Sequence, residues 1–355
     1  MISLASIAKQ YQQPLLDKYG GKMQNTHRHA IKQIIACHTS QAGAMLYHCD
    51  HCHLATTLFP SCGHRHCPAC QHKANNDWLD SQRQKLLPVD YYLVGFTLPA
   101  QLRTFVWQHQ RWAYQALLKA AKETLDSFFK GDKKLGEHTG YIAVLHTHSR
   151  ELQFHPHVHF VVPAGGLNKC RTKWLSKVGK YLFVADNLAK VFRGKFIELM
   201  CKAAYYLPAN TPISWNADCE YVGKGDGALT YLARYLYRSV ISERNILRLE
   251  HGQVTFRYKE SKSKQYQTIC EPAVDFLWRV LQHVLPKGFR RARNYGFMHG
   301  NAKATLQHLQ LILKVIFKPT PTRRKNAVCC PQCQCEMQLY MLRIGTRLIN
   351  LGNTI

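Results

Sequence analysis

The sequence predicts an α+β fold: a zinc-ribbon-like amino-terminal module, then a domain with a central antiparallel sheet flanked by helices. Three observations lead there. Two Cys-x2-Cys knuckles, Cys49/Cys52 and Cys67/Cys70, lie near the amino terminus. Segments 91–98, 141–146 and 152–162 have the length and residue types of strands. Between the first two, segment 101–129 carries apolar residues at helical spacing. A strand, a long amphipathic helix and two strands joined by a polar turn favour helices laid over a sheet.

Length and charge bound the function. A chain of 355 residues has room for two or three domains. Its 46% hydrophobic and 19% charged residues are ordinary for a globular protein and exclude general disorder. Lysine and arginine number 48 against 21 acids, a net charge of +27 that calls for a polyanionic partner. Nucleic acid fits best, because no basic amphipathic helix suggests a membrane surface. The amino terminus has no basic start and too short an apolar run for a signal peptide. The late apolar stretch 309–317 is interrupted by Gln310 and Lys314 and is far too short to span a bilayer, so a cytoplasmic protein is expected.

The cysteines read as metal ligands rather than disulfides. Of 14, ten sit in two terminal clusters, while Cys170, Cys201, Cys219 and Cys270 are scattered. Each Cys-x2-Cys knuckle turns two thiolates toward one point, and the 14 residues between the knuckles are enough to close a cage. A structural Zn²⁺ held by Cys49, Cys52, Cys67 and Cys70 is therefore expected. Cys37 and Cys62 belong either to a second site with nearby histidines or to none. The flanking His64-Arg65-His66 and Lys73 suit a DNA-reading module, although zinc ribbons also serve as protein platforms.

A linking helix over 75–87 leads to the strand 91–98, which stops at Pro99. In 101–129, Leu102, Phe105, Val106, Trp112, Leu117, Leu118, Ala121 and Leu125 form a packing stripe. The later two strands meet at His148-Ser149-Arg150. In the second of them, alternation puts His155, His157 and His159 on one face and Phe154, Val158 and Phe160 on the other. Neutral imidazoles in a row can hold a divalent ion. His146, on the neighbouring strand, supplies either a further ligand or a hydrogen bond.

After Gly225-Asp226-Gly227, residues 228–240 lack Pro and Gly and read as a helix. Tyr231 and Tyr235 stand one turn apart on one face, and Tyr237 points elsewhere. Taken alone, this helix suits an aromatic core stripe equally well. Arg234 and Arg238 are likewise i and i+4 and flank the tyrosines, as a helix meeting phosphates would have them. Arg290, Arg291 and Arg293, with Arg323-Arg324-Lys325 later, offer a track for a single-stranded backbone, and Tyr295 a face for base stacking. The expected division is a zinc-binding DNA-recognition domain over 1–88, a catalytic domain over 89–265 and a basic helical region with a cysteine cluster over 266–355.

These motifs resemble the HUH-type two-tyrosine transposases of the insertion-sequence-ninety-one family. The histidine–hydrophobe–histidine signature is His157-Val158-His159, and the tyrosine motif is Tyr231-Leu232-Ala233-Arg234-Tyr235. The likeness extends through Ser61-Cys62-Gly63-His64-Arg65-His66-Cys67-Pro68-Ala69-Cys70, Phe96-Thr97-Leu98-Pro99, Leu145-His146-Thr147, Val254-Thr255-Phe256-Arg257-Tyr258 and Leu285-Pro286-Lys287-Gly288-Phe289. It implies an HUH endonuclease domain in which His157, His159 and a third ligand hold Mg²⁺ or Mn²⁺. That third ligand is His155 or a residue of the tyrosine helix. It further implies Tyr231 and Tyr235 as nucleophiles that nick and rejoin single-stranded DNA at element ends through a 5′-phosphotyrosine, in rolling-circle-like transposition within the nucleoid. No nucleotide hydrolysis is needed, and the chain has no G-x-x-x-x-G-K-[ST] loop. The competing readings are a non-enzymatic zinc-ribbon DNA-binding regulator and a zinc hydrolase.

The chain departs from the family pattern in three places. Met45 stands where a histidine is common, and His53 where a glycine is. Gln334-Cys335 replaces paired glycines after Cys330-Pro331-Gln332-Cys333, which leaves Cys329, Cys330, Cys333 and Cys335 as a degenerate half-ribbon.

Overall fold

The computed structural model describes residues 2–70, 72–177, 179, 181–236, 240–260, 263–316, 327–345 and 347–351. The side chains of residues 72, 73 and 234–236 lie outside that description.

The chain opens with α1 (Leu4–Tyr19), whose capping box joins Ser3 and Ser6 through reciprocal hydrogen bonds, and with α2 (Asn25–Ala36). The strands β1 (Ala44–His48) and β2 (Ala55–Leu58) pair around the first cysteine knuckle, and α3 (His72–Arg83) follows the second. Next come β3 (Tyr91–Thr97), α4 (Arg103–Gln108), α5 (Gln110–Gly131), β4 (Gly140–His148) and β5 (Phe154–Pro163). The short β6 (Gly165–Leu167) and β7 (Trp174–Ser176) precede α6 (Ala185–Lys202), β8 (Asn216–Tyr221) and α7 (Asp226–Leu236). A meander of β9 (Ile246–Glu250), β10 (Gln253–Lys259) and β11 (Tyr266–Pro272) runs into α8 (Ala273–Leu281). Then follow β12 (Ala292–Gly296), α9 (Lys303–Ile312), β13 (Gln338–Ile344) and β14 (Arg347–Asn350).

These elements form two compact units interleaved along the chain, one made of 74–237 and 285–318, the other of 1–73, 238–284 and 319–355. The three consecutive segments expected from the sequence give way to strand pairing. β12 adds to the sheet of the first unit beside β4, and β13 crosses back to pair with β1 in the second.

In the first unit a five-stranded antiparallel sheet has the order β12-β4-β5-β3-β8. Alternation along each strand divides the side chains between two faces. Tyr92, Val94, Phe96, Tyr141, Leu145, Val158 and Phe160 face the core that includes Leu117, Leu125, Phe192 and Phe196 of α5 and α6. Tyr91, Leu93, Ile142, Val144 and Val161 face the other core, with Leu79, Leu229, Leu232 and Leu309 of α3, α7 and α9. The helix expected over 101–129 is divided at His109, whose φ and ψ of −119° and 37° break the turn. The His109 ring packs between Phe105 and Tyr205, at 4.9 and 4.7 Å, so the break lets both pieces keep an apolar face inward.

In the second unit the sheet order is β14-β13-β1-β2, and a separate three-stranded sheet packs Val254 and Phe256 inward. Tyr19 of α1 stacks on Trp278 of α8 at 4.9 Å, and its hydroxyl donates to Asp275 at 2.7 Å.

Candidate active site and metal centres

The β4–β5 ladder sets His146 directly opposite His157, with Val144 opposite His159. All three histidines share the face of Ile142, Val144 and Val161, beneath α7. Ligating atoms of His146, His157 and His159 lie within 4.8 Å of one another, and His146 Nδ1 is 3.2 Å from His157 Nε2. His157 Nδ1 lies 2.7 Å from the backbone carbonyl oxygen of His155, to which it donates, leaving the Nε2 lone pair for the group. Burial is the first cause that keeps all three rings neutral: His157 is lowered to about 3, His159 to about 4, and His146 well below its ordinary value. Three neutral imidazoles presented to one point suit a divalent cation.

His155 does not join them, against the expectation from alternation alone. The ladder register shifts between His146 and His148, so the pairing does not continue regularly past His157. His155 Nδ1 instead sits 3.3 Å from Arg103 Nη2 of α4. His146 takes the third position, because cross-strand register, which no single strand's periodicity contains, brings it there.

Helix α7 carries Tyr231 to the same place. Leu229, Leu232 and Ala233 are buried against the sheet, and Arg83 Nε holds Asp226 in the first turn at 2.6 Å. The Tyr231 ring stands edge-on to His159 at 6.0 Å and lies 6.3 Å from His146. Arg234 and Tyr235 belong to the same helix, Tyr235 one turn beyond Tyr231, but their side chains lie outside the described residues, as does the whole of Arg238.

Asp218, which the sequence reading passed over, borders the group. It lies opposite Gly95, which in turn lies opposite His159. The carboxylate occupies the space a side chain at position 95 would need, since a Cβ there would come within 1.9 Å of Asp218 Oδ1. Burial and the neighbouring Glu220 raise the Asp218 carboxyl above its ordinary range. The available signal was a glycine inside a buried strand, which marks close approach by another group.

The basic residues of β12 and its approach part company. Arg290 is exposed, Arg291 is 8% exposed, and Arg293 is half-buried with its guanidinium 5.3 Å from the Phe289 ring. The Arg291 carbonyl accepts from the Leu145 N–H at 2.9 Å. Tyr295, expected to offer a base-stacking face, is half-buried and stacks on Phe160 at 6.2 Å, because strand alternation turns it toward the core. Residues 323–325 lie outside the described residues.

The expected cysteine quartet is divided between two clusters. Cys67 and Cys70 group with Cys37 and Cys62, whereas Cys49 and Cys52 group with Cys330 and Cys333. The first knuckle forms the turn of the β1–β2 hairpin and the second follows β2, and each finds its partners elsewhere in the chain. In the first cluster Cys70 Sγ lies 3.3 Å from Cys37 Sγ and 3.5 Å from Cys62 Sγ. Hydrogen bonding from the Cys67 thiol lowers Cys62 to about 5, and burial pushes Cys37 up to about 12. Four convergent thiols of this kind suit a structural Zn²⁺.

Residues 7–98 match the family described as "Transposase zinc-binding domain", of the IS91 type, and residues 140–305 match that described as "Putative transposase", of the Y2 type. The chain is 32% identical over 299 residues to "Putative transposase y4qJ" of Sinorhizobium fredii, covering 78% of this chain and 75% of the relative. It is 27% identical over 351 residues to "Transposase for insertion sequence element IS801" of Pseudomonas savastanoi pv. phaseolicola, covering 93% of this chain and 84% of the relative. No solved structure matches. Among the described residues no helix is long and apolar enough to cross a membrane. The chain belongs to the IS91 family of transposases, enzymes that cleave DNA and transfer its strands, and it carries the family's zinc-binding domain at its amino-terminal end.

Proposed function

We propose that this transposase nicks and rejoins single-stranded DNA at element ends by transesterification through a 5′-phosphotyrosine, in rolling-circle-like transposition, at an HUH-type site. The observation that carries this reading is the approach of the Tyr231 ring to the group of His146, His157 and His159. Those three histidines would hold Mg²⁺ or Mn²⁺. Such an ion, when bound, polarises the scissile phosphate and stabilises charge on the departing 3′ oxygen.

The protein's own groups supply the rest. Burial keeps the imidazoles unprotonated, so their lone pairs are available at neutral pH. A tyrosine oxygen, from Tyr231 or Tyr235, bonds to phosphorus as the bond from phosphorus to the 3′ oxygen breaks. The phenol gives up its proton and the 3′ oxygen takes one up. One phosphodiester replaces another, so no nucleotide is hydrolysed. The second tyrosine, one turn along α7, allows a second strand to be cut while the first remains attached. The exposed Arg290, with Arg234 and Arg238 on and after α7 and Arg293 nearby in sequence, would neutralise backbone phosphates, and Arg291 would support them.

The test is incubation of the purified chain with a labelled single-stranded oligonucleotide bearing the element end and Mn²⁺, followed by denaturing electrophoresis. A covalent band is expected that is lost in the Tyr231→Phe, Tyr235→Phe double variant and in His157→Ala. A band that persists in the double variant removes the tyrosine assignment. Its absence from the wild type with a verified end favours the zinc-ribbon regulator.

A further inference from the structure

The carboxy-terminal knuckle has the same local geometry as the first amino-terminal one. His53, one residue after Cys49-x2-Cys52, has φ of +58° and its N–H donates to the Cys49 carbonyl at 2.8 Å. Gln334, one residue after Cys330-x2-Cys333, has φ of +61° and its N–H donates to the Cys330 carbonyl at 2.9 Å. The Cys49 N–H reaches the Leu54 carbonyl at 2.9 Å, and the Cys330 N–H reaches the Cys335 carbonyl at 2.8 Å. Each left-handed residue turns the chain so that the two thiols of its knuckle point the same way. These are the two positions where the sequence has His and Gln in place of glycine, and the backbone nevertheless adopts the glycine conformation.

The two knuckles face each other. Cys49 Sγ lies 3.4 Å from Cys333 Sγ, and Cys52 Sγ lies 3.4 Å from Cys330 Sγ. A tetrahedral cage of Zn–S bonds of ~2.3 Å has edges of ~3.8 Å, so only a few tenths of an ångström of expansion would seat the ion. Cys49 and Cys330 are fully buried, and Met337, Tyr47 and Leu54 pack around the sulfurs. An all-sulfur tetrahedral set selects zinc over the harder divalent cations.

We propose that Cys49, Cys52, Cys330 and Cys333 form a second, structural zinc site, and that this ion staples the carboxy-terminal hairpin β13–β14 to the amino-terminal strand β1. The zinc-binding module is thus composite, with half the ligands of one ion arriving about 280 residues later, as the separations of 284 and 278 positions across the two close sulfur pairs require. The β13–β1 ladder supplies the register that aligns the knuckles, and the ion supplies the closure that a short ladder lacks.

The full-length chain tests this through zinc content and thiol protection. Elemental analysis should find two zinc ions per chain, falling to one in the Cys330→Ser, Cys333→Ser variant. Alkylation followed by mass spectrometry should find Cys330 and Cys333 newly reactive in the Cys49→Ser, Cys52→Ser variant, with Cys67 and Cys70 still protected. Exposure of Cys67 and Cys70 with Cys330 and Cys333 unchanged would overturn the pairing. If that variant exposes every cysteine, graded chelation of the wild type decides. Release of Cys49, Cys52, Cys330 and Cys333 as one set, separately from Cys37, Cys62, Cys67 and Cys70, supports the site. Any other grouping, or one zinc per chain, overturns it.

Discussion

His146 Nδ1 lies 3.2 Å from His157 Nε2 across the β4–β5 ladder, two ring nitrogens brought together from different strands. His155, nearer in sequence, is turned to Arg103 instead. His146→Ala should therefore lower Mn²⁺-dependent strand cleavage by ~100-fold or more, and His155→Ala by less than ~10-fold. Equal losses in single-turnover assays would restore His155 as a ligand.

Gly95 keeps the space that the Asp218 carboxylate fills. A methyl group there should cost about 1–3 kcal/mol by overpacking. Most of that cost should disappear in an Asp218→Ala background, and a double-mutant cycle by urea denaturation measures the coupling. Additive effects of the two substitutions would show that the carboxylate is not what the glycine accommodates.

Arg290 and Arg291 are neighbours with opposite surroundings, one exposed and one buried. Arg290→Ala should leave thermal stability unchanged and reduce the log–log salt slope of single-strand binding by ~0.7. Arg291→Ala should instead lower the melting temperature. The prediction fails if Arg290→Ala leaves the slope intact.

His27 is fully buried in α2, and its Nδ1 accepts from the Gln24 N–H at 3.0 Å, so protonation breaks a cap. Burial lowers its pKa from 6.5 to about 4. Above pH 6.5 the folded and unfolded chains are both neutral here, and the full contribution is present. As pH falls from 6.5 toward 4, the unfolded chain binds a proton that the folded one refuses, and stability drains away by about 3 kcal/mol. His27→Gln keeps an acceptor at the capping position without a titrating ring. Its stability should fall less between pH 7 and pH 5 than the wild type's, and parallel curves would count against the assignment.

His53 and Gln334 hold left-handed backbone at φ of +58° and +61°. Glycine relieves a strain of about 1–2 kcal/mol there and loses about 0.5–1 kcal/mol to its greater unfolded freedom. Each single replacement should raise the stability of the zinc-loaded chain by up to about 1 kcal/mol, seen as a higher urea midpoint. A lowered midpoint for both would show that the His and Gln side chains contribute more than the backbone strain costs.

Much of this molecule can be read along the chain, where the signal is local. The strands near 91–98, 141–146 and 152–162 and the tyrosine helix appear close to where alternation and helical spacing put them. The helix 101–129 is legible as a stripe but not as two pieces, because no Pro or Gly marks its break at His109, whose ring packs against Tyr205. Tyr295 was misread because a basic neighbourhood does not reveal which way a strand residue points.

Residue type and spacing mark a histidine row, a tyrosine pair and thiol knuckles, and the resemblance those motifs carry points to the family. Which of those residues meet was decided only in three dimensions. His146 replaces His155 because strand register, not strand periodicity, selects the third imidazole. Cys49 and Cys52 part from Cys67 and Cys70 because a knuckle orients only its own two sulfurs, while the sheet that pairs β1 with β13 brings the other two from the far end of the chain. Periodicity is a property of one segment, but a coordination shell is shared by several, and only their packing determines the partners.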